Sequence, residues 1–551
     1  MRKVFLYKLI NWQIGLGIII LVATFLRFYH LGQNPPSLTW DEAAWGYNAY
    51  SLGIDGKDEY GRFLPYDYLE SFGDFKPPVY AYLALLPVKL FGLNEFAVRF
   101  PSAFFGVLTI LATYFLVKEI FGKRGIALLS ALFLAISPWH IMLSRAAFEA
   151  NVATFFIIAG VLLFLRGVGE KKWHLPFAAI SFVLSMYTFN TARIVAPILV
   201  LILIIGFVKQ LLQRKKIVII SIFVGALLLL PTLKFLLSPQ ASLRFKEVNI
   251  FSDIGIIERT NQEIANDHGA WWSKILHNRR FAYGVEYLKH YFDNLNPSFL
   301  FIKGDGNPKF STQTVGEMYL WDLPFFIIGI LLVFRKKEGK WWIIPLWLII
   351  GIIPAATARE TPHALRIEAS LPTFQILVAY GLVTFLKKIS NIKYQISNIN
   401  IKYLIFTVCF LFLMFNFLYY LHGYYVHYPR EYSGEWQYGY KESIQYVIKK
   451  HSNFDQVVVT TGLGRPYIYY LFYIKEDPRI YRASAIVNRD AFGFVTVLGF
   501  GKYLFADNLS LIDNIGKKTL FVNVPPEVPQ NAKILKTFNL LNGNPSLVLY
   551  E

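Results

Sequence analysis

The chain has 551 residues, of which 55% are hydrophobic, 17% aromatic and 17% charged, with a formal net charge of +19. Soluble domains run at about 45–50% apolar and about 25% charged, so this balance excludes an ordinary soluble enzyme, a disordered tail protein and a fibrous repeat. A bilayer is the expected solvent. The lone cysteine, Cys409, lies in an apolar run, which excludes an internal disulfide framework, a CxxC pair and a cysteine zinc site.

Arg2, Lys3 and Lys8 precede an apolar stretch from Trp12 to about Phe28. The stretch is long enough to span and no small-residue cleavage site follows it, so it reads as a retained first helix. With it, the segments near 12–30, 98–118, 125–143, 148–166, 174–190, 193–209, 217–237, 321–335, 341–357, 370–386 and 403–421 make eleven candidate spans, a few needing tilt or local thinning.

Basic residues alternate between the loops. They cluster at Arg2, Lys3 and Lys8, at Lys118, Lys123 and Arg124, and at Arg166, Lys171 and Lys172. Further clusters are Lys209, Arg214, Lys215 and Lys216, then Arg335, Lys336, Lys337 and Lys340, then Lys387, Lys388, Lys393 and Lys402. These loops hold 21 basic residues against Glu119, Glu170 and Glu338, which accounts for almost the whole net charge. The excess is therefore an orientation signal and not a nucleic-acid footprint, and it predicts a cytoplasmic N-terminus and an extracytoplasmic C-terminus.

Residues 77–92 are apolar enough to suggest a twelfth span, but that span would put every later basic cluster on the wrong side. An interfacial helix fits better: Pro77-Pro78 suits a helix start, and Tyr80 and Tyr82 suit headgroup depth. The expected architecture is a transmembrane core over 1–421, with outer loops 31–97 and 238–320, followed by a small extracytoplasmic α/β domain over 422–551. That tail alternates β-rich runs at Gln456–Thr461, Thr519–Val524 and Ser546–Tyr550 with helical patterns near 440–450 and 466–475.

Ionisable residues next to membrane helices are costly and so informative. After the first helix comes Thr39-Trp40-Asp41-Glu42-Ala43-Ala44-Trp45-Gly46-Tyr47. Adjacent acids on a helix point about 100° apart, so one can act on a substrate while the other orients it or holds a cation; the competing reading is a charge pair satisfying the helix dipole. Lys76, before Pro77-Pro78, suits a lipid phosphate or simple snorkelling. Arg145 and Glu149 have i,i+4 spacing, so an intrahelical ion pair competes with a role for Glu149 at a metal ion or a hydroxyl proton and for Arg145 in binding substrate. Tyr187, Asn190 and Arg193 suit an interface anchor or substrate contacts. Arg359, His363 and Arg366 stand on the outer side against the positive-inside trend and suit a phosphate or pyrophosphate, in competition with pairing to Glu360 and Glu368. His268, His277, Arg279, Arg280 and His290 lack metal-ligand spacing and read as surface or acceptor-site residues.

The stretch Thr39 to Tyr47, the Lys76-Pro77-Pro78 entry and Leu93-Asn94-Glu95-Phe96-Ala97-Val98-Arg99-Phe100-Pro101-Ser102-Ala103 together resemble the multi-spanning glycosyltransferases of the GT-C fold. Within these, the protein O-mannosyltransferase and lipid A aminoarabinose transferase branch is the most similar, over residues 20–165 and weakly to His363-Ala364-Leu365-Arg366. The resemblance implies transfer of a sugar from a polyprenyl-phosphate donor to a protein, lipid or glycan acceptor outside the plasma membrane of a prokaryote. It implies Asp41 as the base or acceptor-orienting carboxylate, with Glu42 adjoining and Glu149 as a second acid, and Lys76 as the contact to the donor phosphate. Aminoarabinose transferases typically carry Glu-Lys-Pro-Pro, where this chain has Phe75 before Lys76. The resemblance names no obligatory cofactor and leaves a divalent metal ion open. The rival from another class is a transporter or flippase of lipid-linked saccharides, which would need ionisable residues in mid-helix, whereas here they gather at outer helix ends.

Overall fold

Each of the eleven apolar segments is helical in the computed structural model, which describes residues 2–238, 241, 249–390, 395–396, 399–490, 495–513 and 515–551. Lys393 of the basic-loop series lies outside the described residues. The helices are α1 (Arg2–Phe28), α2 (Trp40–Asp55), α3 (Val79–Phe91), α4 (Glu95–Phe121), α5 (Arg124–Ile136), α6 (Pro138–Ser144), α7 (Glu149–Val168), α8 (His174–Met186), α9 (Ala192–Gly206), α10 (Val208–Leu212) and α11 (Lys215–Leu236), followed by further helices given by range. Among the described residues, five helices are long and apolar enough to cross a membrane: α4, α7, α11, Glu368–Ile389 and Tyr403–Glu431. The helices α5 and α6 are together long and apolar enough for a sixth, but they meet at a bend of 58°. The other predicted spans include shorter apolar helices, such as the 13-residue α8 and the 15-residue α9. At 1.5 Å per residue these reach about 20–23 Å, less than the roughly 30 Å of hydrocarbon.

The chain divides into two compact units. The first comprises residues 1–26, 105–143 and 150–420 and contains most of the apolar helices. Within it, loops of the basic series meet one another: Lys123 Nζ lies 2.6 Å from Glu338, Lys340 Nζ lies 3.0 Å from Glu119, and Arg214 donates to the carbonyl of Gly167 at 2.7 Å. Two pairs of loops expected on one side of the membrane are thus joined. The helices Asp322–Lys336 and Thr373–Ser390 approach through Gly329 and Gly381, where any side chain would collide with the facing backbone, a small-residue contact suited to packing in lipid. The short strands β3 (Gln395–Ile396) and β4 (Ile399–Asn400) pair antiparallel.

The second unit comprises residues 27–104, 144–149 and 421–551, so the first outer loop and the tail fold together. It holds the hairpin β1 (Leu69–Ser71) and β2 (Asp74–Lys76) and a seven-stranded sheet. The sheet contains β5 (Gln456–Thr460), β6 (Ile486–Arg489), β7 (Val495–Phe500), β8 (Tyr503–Ala506), β9 (Thr519–Asn523), β10 (Ile534–Asn539) and β11 (Pro545–Tyr550) in the order β10-β11-β9-β5-β8-β7-β6. β5 runs parallel to both β8 and β9 and is buried along its whole length, as its Val457-Val458-Val459 run requires of a central strand. The helices Tyr440–Lys450 and Pro466–Ile474 complete the α/β arrangement read from the tail.

Candidate active site

Thr39 and Glu42 start α2 with a reciprocal capping box. The Glu42 N–H donates to Thr39 Oγ1 at 3.3 Å, and the Thr39 N–H donates to Glu42 Oε2 at 3.0 Å. This fixes the first turn and sends the side chains of Asp41 and Glu42 in different directions. Glu42 turns inward and is 1% exposed. Its Oε1 accepts from Arg99 Nε at 2.8 Å and from the Ala147 N–H at 2.9 Å, and its Oε2 accepts from Arg99 Nη2 at 3.2 Å. Arg99 is wholly buried and also donates to the carbonyls of Leu31, Pro35 and Ser37. Glu42 is thus saturated and ties α2 to α4 and to the 144–149 turn.

Asp41 turns the other way, with its side chain half exposed, and forms an ion pair with Lys76. Lys76 ends β2, opposite Leu69 in the hairpin register. The two-residue turn Phe72-Gly73 has φ of +62° and +81°, the left-handed conformation favoured where a tight turn joins twisted strands. Lys76 is buried, with Nζ 5.5 Å from the ring centroids of both Trp45 and Phe72. Burial by itself would disfavour the ammonium, but the carboxylates of Asp41 and Asp74, with Glu149 behind them, hold its pKa above the ordinary lysine value. The result is a permanent cation beside an accessible carboxylate.

Glu149 opens α7 and belongs to this same unit. The intrahelical pairing of Arg145 with Glu149 fails, because α6 ends at Ser144 and α7 begins only at Glu149. Arg145 is instead wholly buried and donates to Tyr424 Oη at 3.0 Å and to the carbonyls of Tyr29 and Asn34 at 2.7 and 2.9 Å. It braces the loop after α1.

The remaining predicted residues lie in the first unit. Tyr187 donates to the carbonyl of Leu228 at 2.6 Å, Arg193 donates to that of Met186 at 3.3 Å, and Asn190 is exposed. Arg359 donates to the carbonyls of Asn249 and Ser252 at 3.2 and 3.1 Å, and Arg366 to that of Glu360 at 3.2 Å. His363 is buried against Phe310, with Nδ1 3.7 Å from Asp305 Oδ2. Burial and the neighbouring Arg366 lower its pKa to about 3, so it presents a neutral imidazole. Among the described residues, no group of three or more His, Cys, Asp or Glu side chains is arranged to hold a metal ion.

Sequence reasoning missed Arg99 and Phe72 as parts of the site. Arg99 had a signal, being an arginine inside an apolar helix and therefore expensive without a buried partner. Phe72 had none, because its role depends on a turn and on residues distant in the chain.

Comparison with known proteins bears on this arrangement. Residues 75–235 match the family model described as dolichyl-phosphate-mannose-protein mannosyltransferase, a stretch that begins one residue before Lys76 and includes Arg99, Arg145 and Glu149. The structure of ArnT from Cupriavidus metallidurans in the apo state aligns over 98% of both chains with a TM-score of 0.52 at 12% identity. This chain has the GT-C fold. The Archaeoglobus fulgidus oligosaccharyltransferase in the apo form also aligns, with a TM-score of 0.52 at 14% identity over 84% of this chain and 63% of that one. An uncharacterized protein of Aquifex aeolicus is 32% identical over 203 residues, 36% of this chain and 39% of its own. The polyprenol-phosphate-mannose–protein mannosyltransferase of Mycobacterium tuberculosis is 26% identical over 180 residues, 31% of this chain and 32% of its own. The matches therefore span about a third of these curated relatives. Residues 75–235 are thus similar to that mannosyltransferase family, in a chain whose apolar helices and fold mark it as an integral membrane protein.

Proposed function

We propose that this GT-C protein transfers a sugar from a polyprenyl-phosphate donor to an acceptor hydroxyl on the extracytoplasmic side of a prokaryotic plasma membrane. The observation that carries this reading is the ion pair of Asp41 and Lys76, in which a cation held charged by its surroundings meets a half-exposed carboxylate. The donor phosphate, as an anion, competes with Asp41 for Lys76. Once Lys76 turns to the phosphate, Asp41 is released to accept the hydroxyl proton.

The bond from the acceptor oxygen to the anomeric carbon then forms while the bond from that carbon to the phosphate oxygen breaks. The proton passes to Asp41, and the electron pair leaves with the polyprenyl phosphate, whose growing charge Lys76 stabilises. A direct displacement of this kind inverts the anomeric centre. Glu149 adds negative potential at the same lysine and is the second carboxylate available to orient the acceptor. The undecaprenyl phosphate held in a second structure of the Cupriavidus metallidurans enzyme, with a TM-score of 0.52, supports this donor class. Mannose is the first sugar to test, because the named relative uses polyprenol-phosphate-mannose.

Binding of polyprenyl phosphate to the purified protein in nanodiscs tests the pairing. Lys76→Ala is expected to weaken binding and Asp41→Asn to keep or strengthen it, since the competing carboxylate is gone. Equal loss in both variants would contradict the competition.

A further inference from the structure

The helix Arg279–Asp293, in the loop between α11 and the Asp322–Lys336 helix, carries an apolar stripe that stands exposed among the described residues. Phe281, Val285, Leu288 and Phe292 recur at i, i+4, i+7 and i+11 and are 50–61% exposed. That spacing places them on one face. Just before the helix, Trp271, Trp272, Ile275 and Leu276 are exposed as well. Four basic residues, Lys274, Arg279, Arg280 and Lys289, accompany these side chains against two acids, Glu286 and Asp293.

A different face of the helix fastens it to the rest of its unit. Tyr291 Oη donates to the carbonyl of Ile349 at 2.9 Å and Tyr287 Oη to that of Ile353 at 3.3 Å, while His290 Nδ1 meets the carbonyl of Ala358 at 2.8 Å. Ile349 and Ile353 lie at the C-terminal end of the apolar helix Ile343–Ile352, where the last carbonyls lack helical partners. The two tyrosines supply those missing donors. The amphipathic helix is thereby fastened to the C-terminal end of the apolar helix Ile343–Ile352.

We infer that the Arg279–Asp293 helix is a membrane anchor whose Phe281, Val285, Leu288 and Phe292 face enters the headgroup–acyl boundary, with Arg279 and Arg280 meeting anionic lipid phosphates. An amphipathic helix with large apolar residues on one face and basic residues beside it binds such a surface through both terms. The occupant is the bilayer of the same membrane and not a second copy, because a cationic flank repels its own duplicate. This anchor does not depend on the sugar-transfer reading.

The test uses the full chain with Cys409→Ala and a nitroxide on Leu288→Cys or, separately, Phe292→Cys, in nanodiscs of phosphatidylglycerol or phosphatidylcholine. An Asn542→Cys label gives the aqueous reference. Labels at 288 and 292 are expected to collide several-fold more with oxygen than with a water-soluble nickel chelate, and to be more immobilised in phosphatidylglycerol. Accessibility equal to that of the Asn542 label, at both positions and in both lipids, would overturn the anchor. Dipolar broadening between labels of two chains would overturn it in favour of self-association.

Discussion

Arg465 Nη1 donates to the carbonyl of Phe72 at 3.2 Å, and its guanidinium carbon lies 4.3 Å from the centroid of the Phe72 ring. The same ring receives Lys76 Nζ at 5.5 Å, and the Val495 N–H also donates to the Phe72 carbonyl, at 3.3 Å. The tail thus grips the turn that sets the height of Lys76. Arg489 to Glu70 and Arg482 to Asp55 add ion pairs between the tail and the first outer loop.

Removing the Arg465 guanidinium should loosen the Phe72 turn without touching the Asp41–Lys76 pair itself. Arg465→Ala is expected to raise the KM for the polyprenyl-phosphate donor about tenfold with a smaller change in kcat, and Arg465→Lys to recover part of it, because one donor to the carbonyl is retained. Unchanged donor KM in Arg465→Ala would sever this link.

Glu42 and Arg99 should behave as a stability pair. Losing one member of a buried, hydrogen-bonded ion pair leaves an uncompensated charge and costs roughly 3–5 kcal/mol. Arg99→Met is therefore expected to lower the thermal midpoint in detergent strongly, whereas Glu42→Gln, which keeps part of the hydrogen bonding, should lower it less. Melting curves that coincide with the parent would contradict the buried role.

The raised pKa of Lys76 sets a pH signature. Because its folded value lies above the unfolded lysine value, the stabilising pair is fully present through neutral pH and is lost only as pH rises through that raised value. Donor binding should therefore show no alkaline decline up to about pH 10, the ordinary lysine range. An alkaline limb near pH 8 in isothermal titration would rule out Lys76 as the phosphate cation.

Glu59 contributes with the same sign, from a carboxyl. It is 1% exposed beside Asp58 and Glu70, and burial pushes its carboxyl well above the usual range. The stability tied to its protonated form is complete below the unfolded glutamate value and declines as pH rises through the raised one. Glu59→Gln should therefore flatten the fall in thermal midpoint as pH rises, and a parallel pH profile in parent and variant would count against it.

Much of the fold was legible because it is written in local patterns. Each of the eleven apolar runs is helical, and the runs at 456–461, 519–524 and 546–550 are strands. That Asp41 and Glu42 point apart was also legible, since it follows from helical geometry, but which of them turns inward was not. The arginines were not. Arg145 and Glu149 have helical spacing, but the chain breaks between Ser144 and Glu149, and Arg145 is used by Tyr29, Asn34 and Tyr424. Arg359 and Arg366 look like free cations in sequence, yet they donate to backbone carbonyls of Asn249, Ser252 and Glu360. Such partners are fixed by the tertiary path of the backbone, which carries no side-chain signature. The grip of Arg465 on Phe72 joins positions 393 residues apart and had no local signal at all.

The most direct measurement is sugar transfer itself. Purified protein in nanodiscs, supplied with radiolabelled polyprenyl-phosphate mannose and a membrane acceptor fraction, is expected to release polyprenyl phosphate and label the acceptor in equal amounts. Asp41→Asn should reduce the rate about 10²–10⁴-fold, the usual range for loss of a general base, while Lys76→Ala should act chiefly on donor affinity. Transfer at the parent rate by both variants, or movement of intact donor across the bilayer with no release of polyprenyl phosphate, would contradict it.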